Sequence, residues 1–378
     1  MRILQIRSEF EDSGPGTQSL TIARELRSRG HEVDFLACGG ALQDEIEEAG
    51  FAFHVVPGFR VGERGPINSV KAIAGIAKVL RERQVELVHA HNATSVQLTY
   101  FASLRNRNPL PLVQSVRGVE LRKWFQWRNW IYKFSPARLL AVSEFTRQTL
   151  LDFGVPPDRV TVTYNGIDPK RFNPDTVDST RIRKEFDLHD RVVVGHIGAM
   201  NGCKGQDVLV EAIACVKKQF THVACLLVGD GPAREHVECR AAELGVSDCV
   251  HFAGMRFESP DFHACFDIYA QPSVRGEMFP NSIIEAMAMR TPWIGSEISG
   301  LSEMTADGEA GWVTSPGAVE ALANNLVKLL ADEDLRRARG QRAHDEVHRR
   351  FTIQHVVSRI ESAYEQALQG KLASRRAA

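Results

Sequence analysis

The chain has 378 residues, more than one ordinary domain needs, so its length points to two or three. Its 43% apolar and 25% charged residues are those of an ordinary soluble globular protein. A net charge of −1 provides no global field to draw in nucleic acid or an acidic substrate.

In chain order, the first apolar run is Ile3–Ile6, which reads as a strand from the start. The basic, apolar and small-residue sequence of a secretory leader is missing there, and no stretch reaches the ~18 apolar residues that span a bilayer. A cytoplasmic location is expected. The cysteines agree: seven of them, an odd number with no Cys-x-x-Cys pair, fit free thiols in a reducing compartment better than a disulfide framework or a zinc site.

Further strands are predicted at Val33–Ala37, Phe51–Val56, Glu86–His89, Leu112–Ser115, Leu139–Val142 and Val160–Thr163. Helical patterns at Thr17–Arg29, Ile67–Arg83 and Ser143–Phe153 fall between them. Turn formers from Asn165 to Asp175 interrupt the alternation. It resumes with strands at Val192–Ile197, Ala224–Val228, Val250–Ala253, Ile268–Gln271, Trp293–Gly295 and Gly311–Val313. The helices there are Gly205–Gln219, Ala233–Leu244, Pro280–Arg290 and Ala318–Leu330, and Asp334–Phe351 and Gln354–Leu368 follow with no further strand. This pattern predicts an α/β chain of two Rossmann-like, doubly wound domains, residues 1–168 and 169–354, facing a deep interdomain cleft. The last helix, about 355–378, is expected to pack back on the first domain.

The most informative stretch runs from Gln271 to Ala288. A strand ends, a polar loop follows, and Pro280 stands where a helix should begin, since its missing N–H would have no intrahelical partner there anyway. The free amides of Asn281, Ser282 and Ile283, next to Phe279, then make an anion site suited to a diphosphate. Glu285 lies five residues beyond Pro280, roughly 7.5 Å along a helix axis, an offset that suits a ribose. Glu277, on the loop before the helix, is placed to accept hydrogen bonds from sugar hydroxyls or to stabilise an oxocarbenium charge. Ser282-x-x-Glu285 also matches a helix capping box.

This stretch resembles the Glu-x7-Glu signature of retaining GT-B glycosyltransferases, glycosyltransferase family 4 in particular. The likeness continues in Ala141-Val-Ser-Glu-Phe-Thr-Arg147, Tyr164-Asn-Gly-Ile-Asp168, Phe172-x-Pro174, Lys204-Gly205, Leu226–Pro232 and Ala286–Pro292. The resemblance implies transfer of a sugar from a nucleotide-sugar donor to a hydroxyl acceptor with retained configuration, in cell-surface polysaccharide or lipid-linked glycan synthesis. It implies that Glu277 contacts the donor sugar, Glu285 the ribose, and Lys204 the diphosphate as a point charge. Met255 and Arg256 would lie near the nucleobase. Gly14 and Gly16, in a loop Ser13–Thr17 that lacks the full dinucleotide fingerprint, would approach the donor phosphate and acceptor. A sugar-nucleotide epimerase of the same fold, or an inactive nucleotide-binding subunit, are the rival readings. No cofactor or metal is expected, because the nucleotide sugar is a substrate and Asp332-Glu-Asp334 reads as a helix cap.

His89 and His91 alternate along one strand and so share a face, which makes His91 a candidate in the cleft. Two positions depart from the family pattern. Ser115-Val-Arg117-Gly118 replaces a histidine-bearing turn, and Ala199 replaces an arginine. Arg117 is expected to restore the lost cation from the opposite domain. Finally, Arg122–Lys133 gathers three tryptophans and four cations, a composition suited to an anionic membrane surface or a lipid-linked acceptor. A glycan or small-molecule acceptor is compatible as well.

Overall fold

The structure, a computed structural model, describes residues 1–11, 14–60, 62–63, 65–118 and 131–377, with side chains through residue 370. The chain divides into two compact units. One comprises residues 1–166 and 353–378, the other residues 167–352.

The first unit is built on a seven-stranded sheet in the order β3-β2-β1-β4-β5-β6-β7, every neighbouring pair parallel. Its strands are β1 Arg2–Ile6, β2 Glu32–Ala37, β3 Ala52–Val55, β4 Leu87–Ala90, β5 Leu112–Val116, β6 Arg138–Ala141 and β7 Val160–Val162. Helices Gly14–Ser28, Pro66–Glu82, Ala93–Arg105 and Glu144–Asp152 connect them. The chain returns at the end through the helix Ile353–Ala377, held by Glu361 to Arg29 (2.6 Å) and His31 (2.8 Å).

The second unit repeats the plan with six strands, β10-β9-β8-β11-β12-β13, again all parallel. These are β8 Val192–Ile197, β9 Val223–Val228, β10 Val250–Gly254, β11 Ile268–Gln271, β12 Trp293–Ser296 and β13 Gly311–Thr314. Strands covered by helices on both faces read as unbroken apolar runs, which is why β9, Val-Ala-Cys-Leu-Leu-Val, is buried along its whole length. Val194, Leu209, Ile213, Leu227, Ile268 and Leu326 form the centre of this unit's core.

Against that apolar background a few strand residues are polar and buried: Gln5, His89, Gln114 and Ser115 in the first unit, His196, Gln271, Ser296 and Thr314 in the second. A buried polar side chain costs stability unless it is hydrogen-bonded, so these positions mark where packing gives way to another task. Five of them, Gln5, His89, Ser115, His196 and Gln271, lie toward the carboxyl ends of strands at or beside the two points where strand order reverses, β1/β4 and β8/β11. Open parallel sheets bind ligands there.

Four helices fall outside the predicted set: Gln43–Glu48, Ala93–Arg105, Thr180–Glu185 and Ser259–Cys265. Ala93–Arg105 carries an Asn92 cap whose side chain accepts from the Ser95 amide at 2.8 Å, but its apolar face is broken by Thr99 and Ser103. Most of the aromatic and cationic segment Arg122–Lys133, positions 122–130, lies outside the described residues.

Candidate active site

In the second unit the chain leaves β8 through Gly198–Gly205 and leaves β11 through Pro272–Pro280. The two loops interlock. Gly205 caps the helix Gln206–Lys217 at φ +71°, and a Cβ there would meet the Pro272 carbonyl oxygen at 2.0 Å, so only glycine fits. The Val274 amide donates to the Cys203 carbonyl at 2.8 Å. Held this way, Lys204 Nζ reaches Glu277 Oε1 at 2.5 Å.

Glu277 is 5% exposed, and three donors converge on one of its oxygens. Besides Lys204, Gln271 Nε2 donates to Oε1 at 2.7 Å and Ser273 Oγ at 2.9 Å. Among the described residues nothing donates to Oε2, which is left to accept from a ligand. Gln271 is oriented in turn, its Oε1 accepting from Tyr269 (2.9 Å) and Ser282 (2.6 Å). Below the pair sits His196, fully buried. Its Nδ1–H donates to the Ala270 carbonyl at 2.8 Å, leaving a bare lone pair on Nε2. Burial, together with the Lys204 charge, overrides the Ala270 bond and the Glu277 charge and presses its pKa down to about 4, so the ring stays neutral.

The helix Asn281–Ala288 starts one residue after Pro280, which is extended (φ −70°, ψ 129°) rather than in the first turn as the sequence suggests. Pro280, at the N-cap, supplies no side-chain capping bond. The capping box does not form: Ser282 turns to Gln271, and Glu285 faces the other way. Glu285 Oε2 accepts from Ser259 Oγ at 2.9 Å and His263 Nε2 at 3.1 Å. Burial alone would raise the carboxyl's pKa, but those two bonds, with the charges of His263 and Arg171, outweigh it and hold the pKa below the usual value. A helix N-terminus, an ammonium beside it and two fixed carboxylates suit an anion attached to hydroxyl-bearing groups.

Other predicted residues lie elsewhere. The Phe279 side chain is core, 3% exposed with its ring edge-on to Phe351, so only its backbone belongs to the loop. Arg256 is held in a fork by Glu185 at 2.6 and 2.9 Å, while Met255 is exposed. Gly14 and Gly16 are not in a loop but in the first turn of the helix Gly14–Ser28. Gly16 is buried, and a Cβ there would lie 2.0 Å from the Glu11 carbonyl oxygen, so close packing explains this glycine. His91 and Arg117 belong to the first unit's sheet end. Sequence reasoning missed Ser259 and His263, on an unpredicted helix, and the supports His196, Tyr269 and Ser273. The signal for His196 was a histidine inside an otherwise apolar strand.

Fold and site together define a GT-B glycosyltransferase, two Rossmann-like sheets of which the second carries the basic and acidic groups at its switch point. The chain belongs to glycosyltransferase family 4: the family described as Glycosyltransferase Family 4 matches residues 13–171, and that described as Glycosyl transferases group 1 matches residues 191–332. It is an enzyme of the hexosyltransferase type. It is 25% identical over 364 residues to N-acetyl-alpha-D-glucosaminyl L-malate synthase of Bacillus anthracis, with 94% of each chain covered. It is 30% identical over 201 residues to the GDP-mannose-dependent alpha-(1-6)-phosphatidylinositol monomannoside mannosyltransferase of Mycobacterium tuberculosis, a match covering 51% of this chain and 52% of that one. The fold is that of HepE from Anabaena, solved with UDP and glucose, at a TM-score of 0.84 and 22% identity over 97% of this chain and 99% of that one.

Proposed function

We propose that this enzyme transfers a hexose from a nucleoside-diphosphate sugar to a hydroxyl acceptor with retention at the anomeric carbon. The observation that carries the reading is the Lys204–Glu277 pair beside the N-terminus of the helix Asn281–Ala288, with Glu285 fixed one turn further in. In this reading the first-turn amides and the Lys204 ammonium receive the diphosphate. They gain strength as the C1–O bond breaks and its electron pair moves onto the leaving diphosphate. Glu277 Oε2 accepts from a sugar hydroxyl, and Glu285 accepts from the ribose hydroxyls. The acceptor oxygen attacks C1 from the face the diphosphate leaves, and its proton passes to the departing phosphate oxygen.

The diphosphate charge is met here by protein groups, so turnover is expected to survive a metal chelator. That HepE was solved with UDP-glucose supports a nucleotide-sugar donor, and the likeness to a phosphatidylinositol mannoside mannosyltransferase supports a place in glycolipid or polysaccharide synthesis. A panel of nucleotide sugars tested by thermal shift identifies the donor, since a bound ligand raises the melting point by mass action. Glu285→Gln should then weaken the nucleotide at least tenfold, and proton NMR of the product should show the donor's anomeric configuration. An inverted product, or a donor that binds Glu285→Gln as well as wild type, would refute the assignment.

A further inference from the structure

The first unit's sheet carries a second polar cluster, outside the site just described. Gln5 lies on β1 with Arg7 just past its end. His89 lies on β4 with His91 past its end, and Ser115 lies on β5 with Arg117 past its end. A spacing of two puts the members of each pair on one face of the sheet. Register sets Gln5 opposite His89, His89 Nε2 bonds Ser115 Oγ at 2.8 Å, and the His89 and His91 rings stack at 4.4 Å. The result is an inner row, Gln5–His89–Ser115, and an outer row, Arg7–His91–Arg117, on three adjacent strands.

The inner row is largely satisfied, His89 Nδ1 also meeting Tyr364 Oη at 2.7 Å. The outer row is not. Arg117 donates through Nη1 to Asn165 at 2.8 Å, but its Nε is buried with no partner; Arg7 Nη1 and Gln5 Nε2 are buried and unpartnered too. All three are donors. Among the described residues neither arginine is in an ion pair: Glu11 and Glu9 attract Arg7 only from beyond ion-pair distance, and Glu9 is bonded to Arg60 at 2.8 Å. His91 Nε2–H donates to Gln5 Oε1 at 2.7 Å, which leaves Nδ1 as a bare, buried acceptor. Burial and the Arg7 charge lower the Arg117 pKa to about 9, still above neutrality, so both guanidiniums are charged and repel each other. Two unpaired cations with orphaned N–H groups are unfavourable until an anion arrives, and the guanidinium fork matches the oxygens of phosphate and carboxylate.

We propose that Arg7 and Arg117 hold an oxyanion of the acceptor, a phosphate or a carboxylate, while His91 Nδ1 accepts from a hydroxyl of the same molecule. The assignment of that molecule as acceptor rests on the transferase reading above. The sheet end where it binds is a switch point of a parallel sheet, a location that favours ligands on general grounds.

The test uses the full chain with inorganic phosphate and L-malate as probes and glycerol as the neutral control, at constant ionic strength, with and without saturating UDP. One of the two anions should raise the melting temperature with UDP present, glycerol should not, and the active anion tells phosphate from carboxylate. Arg7→Met and Arg117→Met should each weaken that anion at least tenfold and change the UDP Kd less than twofold. Arg7→Met should not lower the melting temperature of the ligand-free chain, because it removes one of two repelling cations, whereas Arg117→Met also gives up the bond to Asn165. If Arg117→Met does not fold, Arg117→Lys, which keeps the charge and loses the fork, should still weaken the anion severalfold. The proposal is overturned if neither anion binds, if saturating UDP abolishes the anion's effect, or if the variants weaken UDP as much as the anion. Should no nucleoside diphosphate of the donor panel bind wild type while the anion arm behaves as expected, the donor reading fails and the anion site stands without its assignment to an acceptor.

Discussion

Replacing Glu277 by glutamine should separate binding from turnover. In the ligand-free enzyme Lys204 is engaged by Glu277 Oε1 at 2.5 Å, so a diphosphate must compete with that carboxylate for the ammonium. A hydrogen bond to a charged group contributes about 1.5–3 kcal/mol. The Lys204 side chain is 25% exposed, so solvent screening reduces this to about 1 kcal/mol. Glutamine keeps an oxygen for Gln271 and Ser273 but gives up the charge. Glu277→Gln should therefore bind the nucleoside diphosphate of the preferred donor about fivefold more tightly, while kcat falls by at least a hundredfold for want of the sugar contact. Lys204→Met should weaken the same ligand tenfold or more. Isothermal titration of wild type and both variants, with steady-state rates alongside, reads out each term. If Glu277→Gln binds the diphosphate more weakly than wild type, the competition argument is wrong and the carboxylate supports the site in some other way.

Two further outcomes follow from the same geometry. Gly205→Ala should destabilise the second unit by about 2 kcal/mol or more and depress kcat through the displaced Lys204. The left-handed backbone costs roughly 1–2 kcal/mol for an L side chain, and the Cβ meets the Pro272 oxygen; chemical denaturation and steady-state rates check both effects. Stability should also fall on acidification, because burial holds His89 near pKa 3 and His196 near 4 in the folded protein against 6.5 for the free side chain. A depressed histidine pKa means the unfolded chain binds more protons below pH 6.5, so each ring subtracts about 1.4 kcal/mol per pH unit from there down to its folded pKa. Imidazole NMR should find both rings neutral at pH 5, and a titration near 6.5 for either would contradict the burial argument.

All thirteen strands among the described residues were legible in the sequence within about a residue at each end, because a parallel sheet covered on both faces writes itself as short apolar runs. Helices with clean apolar stripes were legible as well. The helix Ser259–Cys265 was not, being seven residues long with proline at its start and no stripe, and with it went two of the residues that hold Glu285. The neighbourhood of Glu277 was half legible. Spacing and family likeness pick out Lys204 and the two glutamates, but not that the first two grip each other, since that depends on loops from separate strands meeting at Gly205 and Pro272. The same limit applies to Gly16, whose close approach to the Glu11 carbonyl depends on packing that the sequence does not display. Arg256 shows it again, its fork closed by a glutamate 71 positions away.

The final helix has a consequence for how the chain matures. Tyr364, buried against the His89 ring, belongs to the same compact unit as β1, yet the whole of residues 167–352 is synthesised between them. A ribosome-bound nascent chain can complete the later unit while the earlier one still lacks its closing segment. Until residue 364 emerges, His89 Nδ1 has no tyrosine to meet and the underside of that sheet stays open. The unit that starts first is thus the last to finish.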